Sequence, residues 1–165
     1  MDRSQYLYSA LSTLEGYAAS TLPRDVRAAR AADAIRDAGA YRWVGLYDVS
    51  DDEIAVIAWS GPTAPTHPRF PRSQGVNGEA VATKASVIVQ DVSKDARYLP
   101  TLADTRSEMI MPVGDHTGAI VGTIDVESAA VNAFGEKDQL LLEQCAKALR
   151  PLWDSRERGR GPTTG

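Results

Sequence analysis

The chain has 165 residues, one cysteine and a net charge of -4, with 43% hydrophobic and 24% charged residues. Those proportions suit one globular domain with a sizeable core and argue against disorder outside the ends. They exclude an intramolecular disulfide and a cysteine-based metal site, and the acidic balance argues against non-specific nucleic-acid binding. No apolar run approaches the roughly 18–20 residues that cross a bilayer. Met1-Asp2-Arg3-Ser4 lacks the basic-then-apolar pattern of a secretion signal, so a reducing cytoplasm is the expected setting.

Residues 2–20 place Tyr6, Leu7, Ala10, Leu11, Leu14, Tyr17 and Ala18 at three- and four-residue steps, the stripe of an amphipathic helix with Asp2 at its N-cap. Pro23 opens a second helix that carries Val26, Ala29, Ala32, Ala34 and Ile35 and ends at Gly39. Its arginines (Arg24, Arg27, Arg30 and Arg36) read as a solvated face, with a partner-binding patch as the alternative. Residues 41–49 are rich in aromatic and branched residues and predict a strand. Residues 54–59 return it as a hairpin. Gly45, in mid-strand, marks a bulge or the close approach of another group.

Residues 60–73 hold four prolines and predict a loop or a sheet edge. Gly75-Val76-Asn77-Gly78 leads into a short helix with Asn77 as its cap. The two glycines also suggest an anion cradle, on weak grounds. Val87-Ile88-Val89 predicts a short strand, and residues 91–105 a polar loop. Ser107–Val113 and Gly118–Glu127 then form a hairpin around Gly114-Asp115-His116-Thr117-Gly118. A last helix begins near Phe134 and runs through Leu142, Cys145, Leu149 and Leu152. The predicted layout is one domain over 1–157, with helices at 1–39, sheet and pocket loops at 40–128, a terminal helix at 134–157 and a flexible tail at 158–165. Hairpins between terminal helices predict an α+β fold, with helices on one sheet face and a loop-covered cavity on the other.

The last hairpin carries Glu108, Asp125 and Glu127 in otherwise apolar strands. Asp125 and Glu127 are two apart and share a face. Unpaired carboxylates are costly in a core, so they line a polar pocket, face water, or pair with Arg42, Arg106 or Lys84. His67 and His116 read as loop residues, and no set of residues has metal-ligand spacing. A hydrolytic grouping of Thr101, Asp104 and His67 has only weak sequence support. Cys145, on the stripe of the last helix, reads as a buried small hydrophobe.

Trp43-Val44-Gly45-Leu46-Tyr47, Gly75-Val76-Asn77-Gly78, Arg106-Ser107-Glu108, Gly122–Ser128 and Phe134-x-x-x-Asp138 resemble a GAF domain, and more narrowly its free methionine-(R)-sulfoxide reductase branch. The resemblance implies a six-stranded antiparallel sheet with a small-molecule pocket under loops. It also implies a cysteine mechanism, whose three thiol positions correspond here to Thr101, Asn77 and His67. A threonine hydroxyl cannot replace a thiolate that goes on to form a disulfide. What the resemblance carries over is ligand recognition, by Trp43, Tyr47, Glu108, Asp125 and Glu127, with Asn77 and Thr101 closing the site. The expectation is a stand-alone binding or sensor domain for a polar, amino-acid-like ligand, with no catalytic residues, metal or cofactor. A reductase-like enzyme and a module dimerising through its terminal helices are the alternatives. No nucleic-acid or membrane partner is expected.

Overall fold

In the computed structural model, which describes residues 2–154, helices α1 (Arg3–Ala19) and α2 (Arg24–Gly39) precede strands β1 (Trp43–Val49), β2 (Glu53–Ser60) and β3 (Arg69–Pro71). Helix α3 (Gly75–Thr83), β4 (Val87–Val89), β5 (Ser107–Gly114), β6 (Ile120–Ser128) and α4 (Glu136–Leu149) follow, with short 3-10 turns at Val92–Lys94 and Arg150–Trp153. The strands form one antiparallel sheet in the order β3-β2-β1-β6-β5-β4. The α+β architecture and the six strands agree with the sequence expectation. The β3 edge strand lies inside the proline-rich stretch, where a sheet tolerates proline best. Among the described residues no helix is long and apolar enough to cross a membrane.

Strand alternation divides the molecule. Val44 and Leu46 of β1, Met109, Met111 and Val113 of β5, and Ile124 and Val126 of β6 pack with Leu14, Ala28, Ala31, Ile35, Leu142, Cys145 and Leu149 of the helices. Each large aliphatic side chain fully buried there contributes roughly 1.5–3 kcal/mol. The alternate residues, Trp43 and Tyr47 among them, face the opposite side, where Phe70, Val81 and Leu102 cover them. A smaller cluster of Val76, Ala80, Val89 and Ile110 seats α3 on the same side. The hairpin turn is tied by Asp115, whose Oδ1 accepts from Thr117 N at 2.8 Å and Ala119 N at 3.1 Å.

Several local expectations are revised. Arg24 and Arg27 do not belong to a solvated face. The Arg24 guanidinium donates twice to Asp48 at 2.7 Å and once to the Leu152 carbonyl at 2.7 Å, pinning α2 to β1 and to the C-terminal turn. Arg27 is buried and donates to the carbonyls of Leu22 and Ala18, closing the α1–α2 connection. Helix α2 does end at Gly39, but the left-handed cap that follows is Ala40, at φ 53°. Gly39 is small for another reason: a Cβ on it would lie 2.1 Å from the Tyr41 ring. Helix α4 starts after Phe134, capped by Asp138, whose Oδ2 accepts from Gly135 N at 2.9 Å. It ends at Leu149, short of the terminal helix expected to 157; residues 155–165, including the predicted tail, lie outside the described residues.

Candidate functional site

Two adjacent strands, β5 and β6, bring the acidic residues together. Asp125 stands opposite Gly45 on β1 and Ile110 on β5, and Glu127 stands opposite Trp43 and Glu108. Because opposed residues share a sheet face, all three carboxylates project to the loop-covered side. They are 2%, 1% and 0% exposed for Glu108, Asp125 and Glu127. One carboxylate oxygen from each lies within 4.8 Å of the others. The solvent-facing alternative is thereby excluded. So is pairing with Arg42, Arg106 or Lys84: Arg42 binds Asp104 at 3.0 Å, and among the described residues no cation forms an ion pair with the cluster.

Polar partners are few. Asn77 donates from Nδ2 to Asp125 at 3.3 Å and accepts from the Thr123 hydroxyl at 2.6 Å, which fixes its amide orientation. The Tyr98 hydroxyl donates to Glu127 at 3.5 Å and accepts from Thr101 N at 3.4 Å. Glu108 Oε2, Asp125 Oδ1 and Glu127 Oε2 are buried and accept no well-aligned hydrogen bond from an amide, hydroxyl or cationic group. Three carboxyls in so small a space cannot all ionise cheaply. Burial, then the charges of Asp125 and Glu127, push Glu108 well above the usual carboxyl range. Burial likewise raises Glu127, with the Asp125 charge adding to it. Asp125 rises to about 7 by burial, opposed by hydrogen bonds from Glu108 and Asn77. Glu108 therefore holds its proton toward Asp125, which ionises first. The Tyr47 phenol is pushed up by its burial and by these same carboxylates.

Beside the cluster lies a small hollow, about 10 Å³, walled by Tyr47, His67, Phe70, Gly75, Val76, Asn77, Leu99, Thr101, Glu108 and Asp125. Asn77, Thr101 and His67, the positions where the resemblance implies thiols, all lie on this wall. The cover is latched across two loops. Thr66 gives its N–H at 3.2 Å and its hydroxyl at 2.9 Å to the Thr101 carbonyl, and His67 Nδ1 sits 2.9 Å from the Pro100 carbonyl.

Of the residues expected to bind, Tyr47, Asn77, Thr101, Glu108 and Asp125 line the hollow, whereas Trp43 and Glu127 do not. Trp43 is fully buried beside it; its indole N–H donates to the Thr63 carbonyl at 3.1 Å. Gly45 explains the fit, since a Cβ there would come within 2.4 Å of the Trp43 ring and 2.8 Å of Tyr47. The bulge falls instead on β2, where the register skips Ile57. Asn77 is no helix cap, for α3 begins at Gly75 and Asn77 sits in its first turn facing Asp125. Gly78 serves packing rather than an anion, because a Cβ on it would meet the Ser73 backbone at 2.5 Å. The hydrolytic set is not assembled: Asp104 is exposed and held by Arg42. Cys145 is buried among the helices on the far sheet face, where burial pushes its thiol up to about 12.

Sequence reasoning missed Tyr98, Thr105 and Thr123. Thr123 had a legible signal, being two residues before Asp125 on the same face. Tyr98 is the single aromatic of a polar loop, and nothing local says that it folds inward.

Comparison with known proteins agrees with this geometry. A family model described as a GAF domain matches residues 22–150. GAF domain-containing protein A of Dictyostelium discoideum is 32% identical over 117 residues, 70% of this chain and 72% of that protein. A free methionine-R-sulfoxide reductase of Saccharomyces cerevisiae is 29% identical over 110 residues, covering 65% of this chain and 60% of its own length. Among solved structures, the free methionine-R-sulfoxide reductase of Neisseria meningitidis in complex with its substrate superposes with a TM-score of 0.82 at 28% identity, over 96% of this chain and 95% of that one. With the family model spanning most of the chain and a relative 32% identical over 72% of its own length, this protein belongs to the GAF domain family.

Proposed function

We propose that this GAF domain binds a small polar ligand of the amino-acid type, through an ammonium group held by Asp125, Glu108 and Glu127. The observation that carries the reading is the convergence of three buried carboxylates, each with an oxygen that no amide, hydroxyl or cation meets in good geometry. A cationic donor would satisfy them by short, charge-assisted hydrogen bonds. The rings of Tyr47, Trp43 and Phe70 supply apolar cover beside them. The hollow is too small for an amino acid while the Thr66 and His67 latch is closed, so entry requires the loops around residues 62–68 and 97–105 to part.

A thiol-based reductase is the less supported reading, despite the relatives that carry that name. The one cysteine of the chain lies on the helix side of the sheet, away from the hollow wall. Pairing between copies is compatible with ligand binding and has its own support: Tyr6 and Tyr8 on α1 and Leu140 on α4 are 48%, 78% and 54% exposed.

Titration calorimetry against a panel of free amino acids and their sulfoxides, in chelator-containing buffer, tests the main reading. Saturable binding in wild type and its loss in Asp125→Asn and Glu108→Gln are expected. Absence of heat across the panel, or unchanged binding in both variants, would overturn it.

A further inference from the structure

The carboxylate cluster has a second use, independent of the amino-acid reading. We infer that Glu108, Asp125 and Glu127 form a binding site for one hard divalent cation, with Ca²⁺ preferred over Mg²⁺. The chemistry of the donors is the first argument. All three are anionic oxygens, and no thiol or free imidazole joins them; His67 reaches the hollow wall with its Nδ1 engaged by Pro100. Such a set suits Ca²⁺, Mg²⁺ or Mn²⁺ and disfavours the softer metals.

Spacing is the second argument. The oxygens lie within 4.8 Å of one another. That is close enough for one ion to touch all three, and calcium accepts an irregular oxygen set whereas magnesium keeps several waters, for which a hollow of about 10 Å³ has no room.

Unmet bonding capacity is the third. Beside the three carboxylates, the Thr105 hydroxyl lies next to Glu127 and Tyr98 in a residue 5% exposed, and makes no well-aligned hydrogen bond to either. It is a neutral oxygen of the kind that completes a calcium shell. Buried polar atoms are rarely left unpaired, and a concentration of them on one spot is an environment suited to a bound ion.

Size decides between occupants of the closed form. The hollow against Glu108 and Asp125, about 10 Å³, has the room of a single water or ion, with Glu127 within reach just behind that wall. A cation needs no opening of the latch, while an amino acid does. Cation and ammonium ligand would contend for Asp125, so each should weaken the other's binding.

The test uses the full chain stripped with a chelator and supplied with CaCl₂, MgCl₂ or MnCl₂ in the absence of amino acids. Thermal melting should shift upward with Ca²⁺, saturably and at lower concentration than with Mg²⁺. Tb³⁺ should luminesce when excited through the neighbouring Tyr47, Tyr98 and Trp43, and Ca²⁺ should quench that signal by displacement. Asp125→Asn and Glu127→Gln, checked for folding by circular dichroism, should abolish both effects, while Asp104→Asn on the surface should leave them intact. No melting shift in wild type at about 10 mM CaCl₂, above the range of weak protein calcium sites, would overturn the inference. So would a shift that survives in both pocket variants. Because the amino-acid titration is run in chelator, either proposal can fail while the other stands.

Discussion

Glu108 on β5 and Glu127 on β6 stand directly opposite each other in the sheet, both almost fully buried. Like charges at opposed sheet positions repel, and burial removes the water that would screen them. A fold keeps such a pair only with bound protons or a bound cation. The stability of the ligand-free protein and its capacity to bind are therefore opposed at these residues.

The first consequence is a pH dependence of stability. Asp125 has its pKa raised from 3.8 to about 7, mainly by burial. Below pH 3.8 the folded and unfolded chains both carry the proton, and the residue costs nothing. As pH rises toward 7 the unfolded chain ionises while the folded one retains its proton, so stability falls across that window. The loss is on the order of 4 kcal/mol for this residue, and Glu108 and Glu127, raised by the same burial, extend the fall above it. Thermal melts of the stripped protein should give a higher midpoint at pH 5 than at pH 8. A flat or rising profile would contradict this electrostatic picture.

Glu127→Gln removes one buried titratable group while preserving shape. It should stabilise the ligand-free protein at pH 8 by about 1–3 kcal/mol, with little effect at pH 5, while weakening ligand binding. Denaturant titration at the two pH values separates this from a simple packing change, which would act equally at both.

Gly45→Ala should be destabilising by about 1–3 kcal/mol, because its methyl group would overlap the Trp43 ring and crowd Tyr47. The displaced rings adjoin the carboxylates, so binding should weaken as well. Urea unfolding together with calorimetry measures the two effects.

Tyr41→Phe is the matching control. The Tyr41 hydroxyl donates to Asp138 Oδ1 at 2.9 Å on the helix side of the sheet, and Asp138 keeps its bond from Gly135 N. Stability should drop by about 1.5–3 kcal/mol with ligand affinity unchanged. A parallel loss of binding would show that the two sheet faces are coupled.

Cys145 is buried with its thiol pushed up to about 12. The native protein should resist a thiol-modifying reagent at neutral pH and react fully once denatured. A thiol-coupled assay with free methionine sulfoxide should show no turnover above background. Rapid native labelling of Cys145 would remove the argument against thiol chemistry.

Much of this protein was legible in its sequence. The three-and-four spacing in α1 and α4, the alternation of β5 and β6, and the two-residue step from Asp125 to Glu127 are local regularities, and local geometry translates them into helices, strands and shared faces. They sufficed for the α+β sheet, for helices on one face of it and for Asp125 and Glu127 sharing a face, but left open whether those carboxylates met a pocket, water or a cation. What stayed hidden depended on residues far apart in the chain. Only packing decided that Arg27 turns inward to the Ala18 and Leu22 carbonyls, that Asn77 reaches from α3 to Asp125, and that Tyr98 closes on Glu127. Only packing, too, left the space beside the triad barely larger than one water. A side chain's spacing fixes the face it occupies, but its partner and the volume left around it are set by elements that the chain brings there from elsewhere.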